Sequence, residues 1–295
     1  MYRIDNRYAA AQIPPPAAQG PEGFFTAGDP ATGVSATIVD ADWLNAVQEE
    51  LIYCVTRGGL TPNKASRTQL LEALANLFTG AWQVLRVTQN LVVPYWATRF
   101  AFELVAGGGS GGHSYAQPGG NYWAGAGGGA GGAALGQRNV TPGGTIQVII
   151  GNGGSAAGGA QNAGGTSSIS FAGQWSVTCS GGAPGTYHSD GYGAAGGQGG
   201  MGWGDVNDIL VFANYGYDGQ SGSYAALAAQ GVAIIGSGHG GPGLWGGGGR
   251  AGHGGGAPGG GPSSGGSGAY NTAATGNFYN GGNGANGLCR YRFMP

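Results

Sequence analysis

The side chains best suited to recognising a ligand lie in one glycine-poor stretch, residues 201–235. Up to residue 224, aromatic rings are interleaved there with carboxylates and amides. Rigid rings supply contact area at a low cost in conformational entropy, and the polar groups beside them supply direction. The stretch predicts a surface that binds a saccharide or a protein loop, formed by Trp203, Asp205, Asp208, Tyr215, Tyr217 and Tyr224. A second candidate loop contains Tyr187, His188 and Tyr192.

Two interpretations of this stretch stay open. Its apolar runs, Ile209–Phe212 and Val232–Ile235, favour a hydrophobic core or an interface between the chains of a trimer. For the aromatic residues, contact with a receptor and burial in such an interface are about equally supported by the sequence.

A catalytic function has little support in the sequence. Hydrolysis of a polysaccharide needs a pair of carboxyl groups, and residues 104–289 contain only four acids, Asp190, Asp205, Asp208 and Asp218. The four histidines, which all lie beside glycine or another small residue, do not form a ligand pattern and suggest exposed loop positions. We therefore expect no enzyme, no cofactor and no metal ion.

The composition separates the chain into two regions. Of its 295 residues 70 are glycine, and 63 of these lie after residue 104. Only 8% of the residues are charged and the net charge is −2, so the basic surface of a nucleic-acid-binding protein is missing. The sequence contains neither the apolar core of a signal peptide nor a run long enough to cross a bilayer, which predicts synthesis in the host cytoplasm and no membrane insertion. The three cysteines are too few for a disulfide framework, and we expect them to be reduced and mostly buried.

The elements of the first region are an arm and two helices. Residues 1–38, with three consecutive prolines, predict an extended arm. Residues 39–80 predict a helical hairpin: Asp40 can cap the first helix, Gly58 ends it, and a second helix follows Pro62 and stops at Gly80. Trp43, Leu44, Val47 and Leu51 recur at helical spacing on the first helix. Because two short helices bury little area, we expect this hairpin to pack against copies of itself or a docking protein, with a self-contained cap as the alternative.

Three segments of this region, Glu22–Gly33, Asp42–Leu51 and Gly59–Lys64, resemble the N-terminal module of phage and prophage tail-fibre proteins. They occur in the same order as in that group, within about residues 1–80. The resemblance implies a place in a virion tail fibre, attached to a tail or baseplate protein.

The second region, residues 81–295, predicts short strands separated by glycine runs. Alternating apolar residues mark strands at 84–87, 91–93, 100–104, 145–150, 168–171, 175–179 and 288–293. Glycine occupies every third position from 240 to 261 except 258. This period suits helices of the polyglycine or polyproline II type, whose three residues per turn let a neighbouring helix approach closely. Flexible Gly/Ser linkers are the alternative. The predicted fold class is mainly β with such helices, plus the small helical hairpin.

Residues 100–112, 140–154, 167–171 and 284–293 resemble the glycine-rich receptor-binding domain of phage tail fibres. The resemblance covers about residues 82–295 and implies stacked polyglycine helices, variable loops at a distal end, a homotrimer, and a receptor on the bacterial surface, either polysaccharide or outer-membrane protein. The resemblance does not indicate where the stretch 201–235 lies in such a domain. A glycine-rich structural component of the virion is the first alternative, and a polysaccharide-degrading tail spike is the second.

Overall fold

The computed structural model describes residues 2–79, 81–115, 123–188, 194–204, 236–271 and 276–294. The chain forms two compact units, residues 1–81 and residues 82–295. The first contains the helices and the second contains the strands. The predicted mainly β fold with two short helices is confirmed.

The first unit is built on α1 (Ala41–Arg57) and α2 (Gln69–Thr79). As predicted, Asp40 caps α1: its Oδ1 accepts a hydrogen bond from the Trp43 N–H at 2.9 Å. The C-terminal end of α1 packs tightly on α2 where Gly58 meets Ala73, since a Cβ at Gly58 would lie 2.5 Å from Ala73. Contact near the end of α1 leaves its first turns uncovered by α2, and Trp43 and Leu44 are 48% and 53% exposed although Phe25 of the preceding segment meets the Trp43 ring edge to face at 5.0 Å.

The arm, residues 2–39, forms neither a helix nor a multi-residue strand and is tied to the helices by polar contacts. Arg3 pairs with Glu49 at 2.6 Å, and Lys64 pairs with Asp5 at 2.8 Å. These pairs are solvent-exposed, so each contributes little stability by itself.

Thirteen strands are described in the second unit. In chain order they are β1 (Gln83–Leu85), β2 (Gln89–Val92), β3 (Arg99–Val105), β4 (Ser114–Tyr115), β5 (Ala124–Gly125), β6 (Ala133–Asn139), β7 (Thr145–Ile149), β8 (Ser167–Phe171), β9 (Trp175–Cys179), β10 (Tyr187–His188), β11 (Gly202–Gly204), β12 (Phe278–Tyr279) and β13 (Leu288–Met294). They include every strand that the alternating pattern predicted.

Nine of these strands form a β-sandwich. One antiparallel sheet has the order β1-β13-β3-β6 and the other has the order β11-β9-β8-β7-β2. A single hydrophobic core contains residues of both sheets, with Phe100 and Phe102 of β3 packed on Trp175 of β9. The Trp175 indole N–H also donates to the Asn139 carbonyl of β6 at 2.9 Å, which fixes one sheet against the other.

The cysteines are free thiols. Cys179 and Cys289 lie in the sandwich core, whereas Cys54 is half-buried. Burial raises the pKa of Cys179 to about 12 and also raises the pKa of Cys289. Both core thiols are therefore protonated and unreactive at neutral pH, in agreement with the expectation of reduced, mostly buried cysteines.

Glycine segments leave the sandwich and run side by side, joined by backbone hydrogen bonds. Successive amides of residues 106–112 donate to three neighbouring segments in turn, so every third residue returns to the same neighbour. In order, the acceptors are the carbonyls of Gly132, Gly165, Ala285, Gly129, Asn162, Gly282 and Ala126, at 2.8–3.0 Å. The carbonyls of residues 107–110 and 112 accept from three further segments, through the amides of Gly182, Gly154, Gly266, Gly185 and Ala269. Residues 106–112 are thus enclosed by six hydrogen-bonded neighbours.

This packing excludes side chains. A Cβ at Gly109 would lie 2.1 Å from the Ala183 carbonyl oxygen, and one at Gly111 would lie 1.9 Å from the Ser267 carbonyl oxygen. Both obstacles are backbone atoms, which cannot move aside as a side chain can. The buried Ser110 fits because its hydroxyl oxygen accepts from the Asn162 N–H at 2.9 Å.

The period-three run at 240–261 does not form one straight segment. It reverses at Leu244 and Trp245, where the Gly243 N–H donates to the Gly246 carbonyl at 2.8 Å. These two apolar side chains pack on Val105 and Leu288 at the outer face of the four-stranded sheet. Both side chains are partly buried there, and because the chain turns back at them, the run forms several short segments rather than one long one.

Alanine at position 109 tests this packing. Since the added methyl group meets backbone on a neighbouring segment, Gly109→Ala should lower the free energy of unfolding by about 1–3 kcal/mol or more. Gly252→Ala is the matched control, because no atom lies within 4 Å of its Cβ position. Urea denaturation of the two variants measures the difference. Equal stability would show that the segments are looser than the hydrogen bonds indicate.

Candidate functional site

The structure describes the predicted site residues unevenly. Tyr187 is described with its side chain, whereas only the backbones of His188 in β10 and Trp203 in β11 are described. Tyr187 and His188 are adjacent on one ribbon, and Trp203 lies in a different sheet, at the edge of the sandwich. The predicted residues Tyr192, Asp205, Asp208, Tyr215, Tyr217 and Tyr224 lie outside the described residues.

Two antiparallel ribbons mark the end of the glycine segments away from the sandwich. β4 pairs with β12, and β5 pairs with β10. Residues 106–112 lead from β3 to β4, and residues 126–132 lead from β5 back to β6. Their hydrogen bonds join Ala106 to Gly132 next to the sandwich and Gly112 to Ala126 next to the ribbons. Seven extended residues span roughly 20 Å, which separates the ribbons from the sandwich.

Five rings converge at these ribbons and form what we call the distal aromatic cluster: His113, Tyr115, Trp123, Tyr187 and Phe278. Trp123 and Tyr187 stack with ring centres 5.5 Å apart and planes at 14°. His113 lies 3.7 Å from Tyr187 and 5.0 Å from Phe278, again between ring centres. Tyr115 meets Trp123 edge to face at 5.5 Å. A hydrogen bond also joins the backbone positions that carry these rings: the Ser114 hydroxyl donates to the Trp123 carbonyl at 2.7 Å.

The cluster combines exposed rings with a buried imidazole. Tyr187 and Phe278 are 40% and 45% exposed, whereas His113 is 9% exposed. Aromatic faces that reach solvent beside a phenol and an indole N–H suit the apolar face of a sugar or a peptide loop. The distal aromatic cluster is therefore capable of binding a sugar or a peptide loop.

His113 departs from the sequence prediction that the histidines are exposed. Its contacts with Tyr187 and Phe278 remove it from water, and this burial lowers its pKa, against a smaller opposing effect of a backbone hydrogen bond with Gly159. Its buried Nδ1 has no hydrogen-bond partner within the described ranges. The lowered pKa favours the neutral imidazole at pH 7.

Sequence reasoning identified Tyr187 but missed the rest of the cluster as a site. His113 directly follows the run 107–112, and Trp123 directly precedes Ala124 and Gly125. An aromatic residue at the end of a glycine run is a sequence signal that could have identified this cluster. Where neighbouring segments end at the same level, the aromatic residues at their ends come into contact.

Two absences complete the description of the chemistry. Within the ranges that the structure describes, no three His, Cys, Asp or Glu side chains are grouped closely enough to hold a metal ion. Within the same ranges, neither helix is long and apolar enough to cross a membrane.

Comparison with known proteins identifies the framework that carries the cluster. Residues 85–294 match the model of a family described as a glycine-rich domain. The match includes the sandwich from the end of β1 onwards, the glycine segments and the distal aromatic cluster, and it confirms the predicted glycine-rich domain. No curated protein matches the sequence at a significant level.

The buried imidazole makes the stability of the distal end depend on pH. Because the pKa of His113 is lowered in the folded state, the unfolded chain takes up the proton first as the pH falls. We expect the stability present above about pH 6.5 to be lost as the pH falls below that value, towards the lowered pKa.

Urea unfolding followed by tryptophan fluorescence at pH 7.5 and pH 5.5 measures this loss. His113→Gln should reduce the difference between the two pH values, and the exposed His239→Gln should preserve it. A wild-type difference that survives unchanged in His113→Gln would assign the pH dependence to another group.

Proposed function

This chain belongs to the glycine-rich domain family through residues 85–294, and we propose, from the resemblance of both its regions to phage tail-fibre sequences, that it is a phage or prophage tail fibre whose glycine-rich end binds a receptor on the bacterial surface. The observation that carries the proposal is the distal aromatic cluster, with exposed Tyr187 and Phe278 at the far end of a close-packed framework. A rigid support that presents aromatic rings at its tip is what adhesion requires, because little entropy is lost when the receptor binds.

The glycine segments suit polyglycine helices of the three-residue type. Their amides return to the same neighbour at every third residue, and residues 106–112 have neighbours on six sides. A helix with three residues per turn directs successive N–H groups outwards at equal angles, which accounts for this pattern. Each helix then has a neighbour for every backbone group, and no side chain is needed between them.

We propose that both sets of residues that the sequence singled out contact the receptor, the first at the distal ribbons and the second beginning at the edge of the sandwich, where Trp203 lies. Tyr187, His188 and Tyr192 belong to the chain that continues from β10, and Trp203, Asp205, Asp208, Tyr215, Tyr217 and Tyr224 belong to the stretch that begins at β11. The receptor is a polysaccharide or an outer-membrane protein. Several tips on one particle bind together, so modest affinity at each tip gives strong attachment. Binding of this kind needs no cofactor, and we propose that the protein is not an enzyme.

The first unit is proposed to attach the fibre to a tail or baseplate protein of the virion. Its sequence resemblance to tail-fibre N-terminal modules supports this role. Apolar side chains that α1 and α2 leave exposed, including Trp43, Leu44 and Leu71, support packing against two further copies of the chain as a homotrimer.

A tail spike that cleaves polysaccharide is the alternative for which a direct assay exists. All four acids of residues 104–289 lie outside the described residues. Incubation of the purified protein with the surface polysaccharide of a bound host should release no oligosaccharides, and their release would replace the binding proposal with a catalytic one.

Adsorption of the purified, labelled chain to a panel of bacterial cells tests receptor binding. We expect Trp123→Ala and Tyr187→Ala each to weaken adsorption at least about tenfold, because each removes a ring of the stacked pair. A variant with alanine at Trp203, Tyr215 and Tyr217 should weaken it similarly.

Tyr95→Ala is the control for these variants, since Tyr95 is an exposed ring next to the sandwich. Cells that lack surface polysaccharide distinguish a saccharide receptor from a protein receptor. Adsorption that stays unchanged in both Trp123→Ala and Tyr187→Ala would falsify the assignment of the distal end as a receptor surface, and unchanged adsorption in the triple variant would remove the stretch 201–235 from it.

Sedimentation of the full chain tests the trimer. We expect the mass of three chains, and a Leu44→Asp and Val47→Asp double variant should sediment as a monomer, because carboxylates cannot be buried unpaired in an apolar interface. Glu50→Gln, an exposed change on the same helix, should leave the trimer intact. A trimer that persists in the double variant would move the interface away from α1.

A further inference from the structure

A groove of about 230 Å³ lies on the outer face of the four-stranded sheet. Strand register determines its shape: Arg292 of β13, Ala101 of β3 and Gln137 of β6 lie side by side across three strands. The small Ala101 in the middle forms the floor, and the longer side chains form the walls. Trp82, which precedes β1, lines the groove on the arginine side.

The two arginines of this face differ in their partners. Arg290 lies near two indoles, with its guanidinium carbon 5.1 Å from the Trp82 ring centre and 5.9 Å from that of Trp245. Its Nη1 lies 3.0 Å from Glu103 Oε2, so its charge is balanced. The Arg290 side chain is therefore a structural element of the sheet face.

Arg292 is stacked but its charge is not balanced within the described part of the chain. Its guanidinium carbon lies 5.0 Å from the Trp82 ring centre. No described carboxylate forms an ion pair with it, and its Nε is buried without a hydrogen-bond partner among the described residues. A buried donor left unpaired is destabilising, and more so when it is charged. An acceptor that enters the groove removes this destabilisation.

We propose that this groove binds the carboxylate of an acidic ligand at Arg292. The edge of a guanidinium formed by Nε and one Nη offers two parallel N–H donors, which match the two oxygens of a carboxylate. Trp82 holds the guanidinium plane in position, and the Gln137 amide on the opposite wall offers a further polar contact. Arg290, Arg292 and Glu103 together carry one net positive charge, which a singly charged carboxylate neutralises. A doubly charged phosphate would place excess negative charge beside Glu103.

This site is separate from the distal aromatic cluster and does not rest on the proposed receptor binding. Glu103 and His113 are ten residues apart along an extended chain, a distance of about 30 Å. A small acidic ligand in the groove therefore cannot touch the cluster.

Titration of the full chain with D-glucuronate, followed by isothermal calorimetry, tests the proposal. We expect a dissociation constant in the roughly millimolar range, as suits one charge-assisted contact in an open groove, and no binding of the uncharged D-glucose. Arg292→Gln should weaken binding at least about tenfold. Arg292→Lys should also weaken it, because an ammonium lacks the two-donor edge. Ala101→Leu should block binding by filling the floor, and the exposed Arg250→Gln should change nothing.

A second measurement, which needs no arginine variant, follows the NMR resonance of the Trp82 indole N–H. Its loss in Trp82→Phe identifies this resonance. It should shift during the glucuronate titration and stay constant with glucose. Absence of that shift, glucuronate affinity unchanged in Arg292→Gln, or tighter binding of inorganic phosphate than of glucuronate would each overturn the proposal.

Discussion

The constraint on which the second unit depends is that its backbone must hydrogen-bond to backbone on all sides. Residues 106–112 donate to three neighbouring segments and accept from three others, and this is possible only where no side chain separates the chains. Glycine loses more conformational entropy on folding than any other residue. Hydrogen bonds to every neighbour, shielded from water, offset that loss and explain why a chain so rich in glycine has an ordered interior.

The sandwich and the glycine framework support each other. At their junction the Ser167 hydroxyl donates to the Val105 carbonyl and accepts from the Gly151 N–H, both at 2.9 Å. The sandwich core fixes the positions at which β3, β6, β9 and β13 join their glycine segments, and so sets the register of the framework. The framework in turn fixes where the distal ribbons lie. Side chains capable of specific contacts are supplied by the few residues that the framework does not use, because glycine itself has no side chain.

The sequence was sufficient to predict those strands and helix ends that depend only on neighbouring residues. Alternation of apolar residues predicted the strands around Phe100 and Ile146, and the short polar side chain of Asp40 predicted the start of α1. The distal aromatic cluster could not be predicted, because His113, Trp123, Tyr187 and Phe278 meet only through segment register over more than 160 residues. The groove at Arg292 depends in the same way on cross-strand neighbours, of which a single sequence gives no sign. The apolar spacing on α1 was predicted correctly, but which part of it contacts α2 is decided by the close approach of Gly58 and Ala73.

The direction of the glycine segments has a mechanical consequence. Their hydrogen bonds run across the segments, while the segments themselves run from the sandwich to the distal ribbons. A pull on the distal end relative to the sandwich therefore loads these transverse bonds in shear. Bonds loaded in shear share the force among many and fail together, whereas bonds pulled apart from one end fail in sequence. The framework that positions the distal rings is thus also built to bear tension.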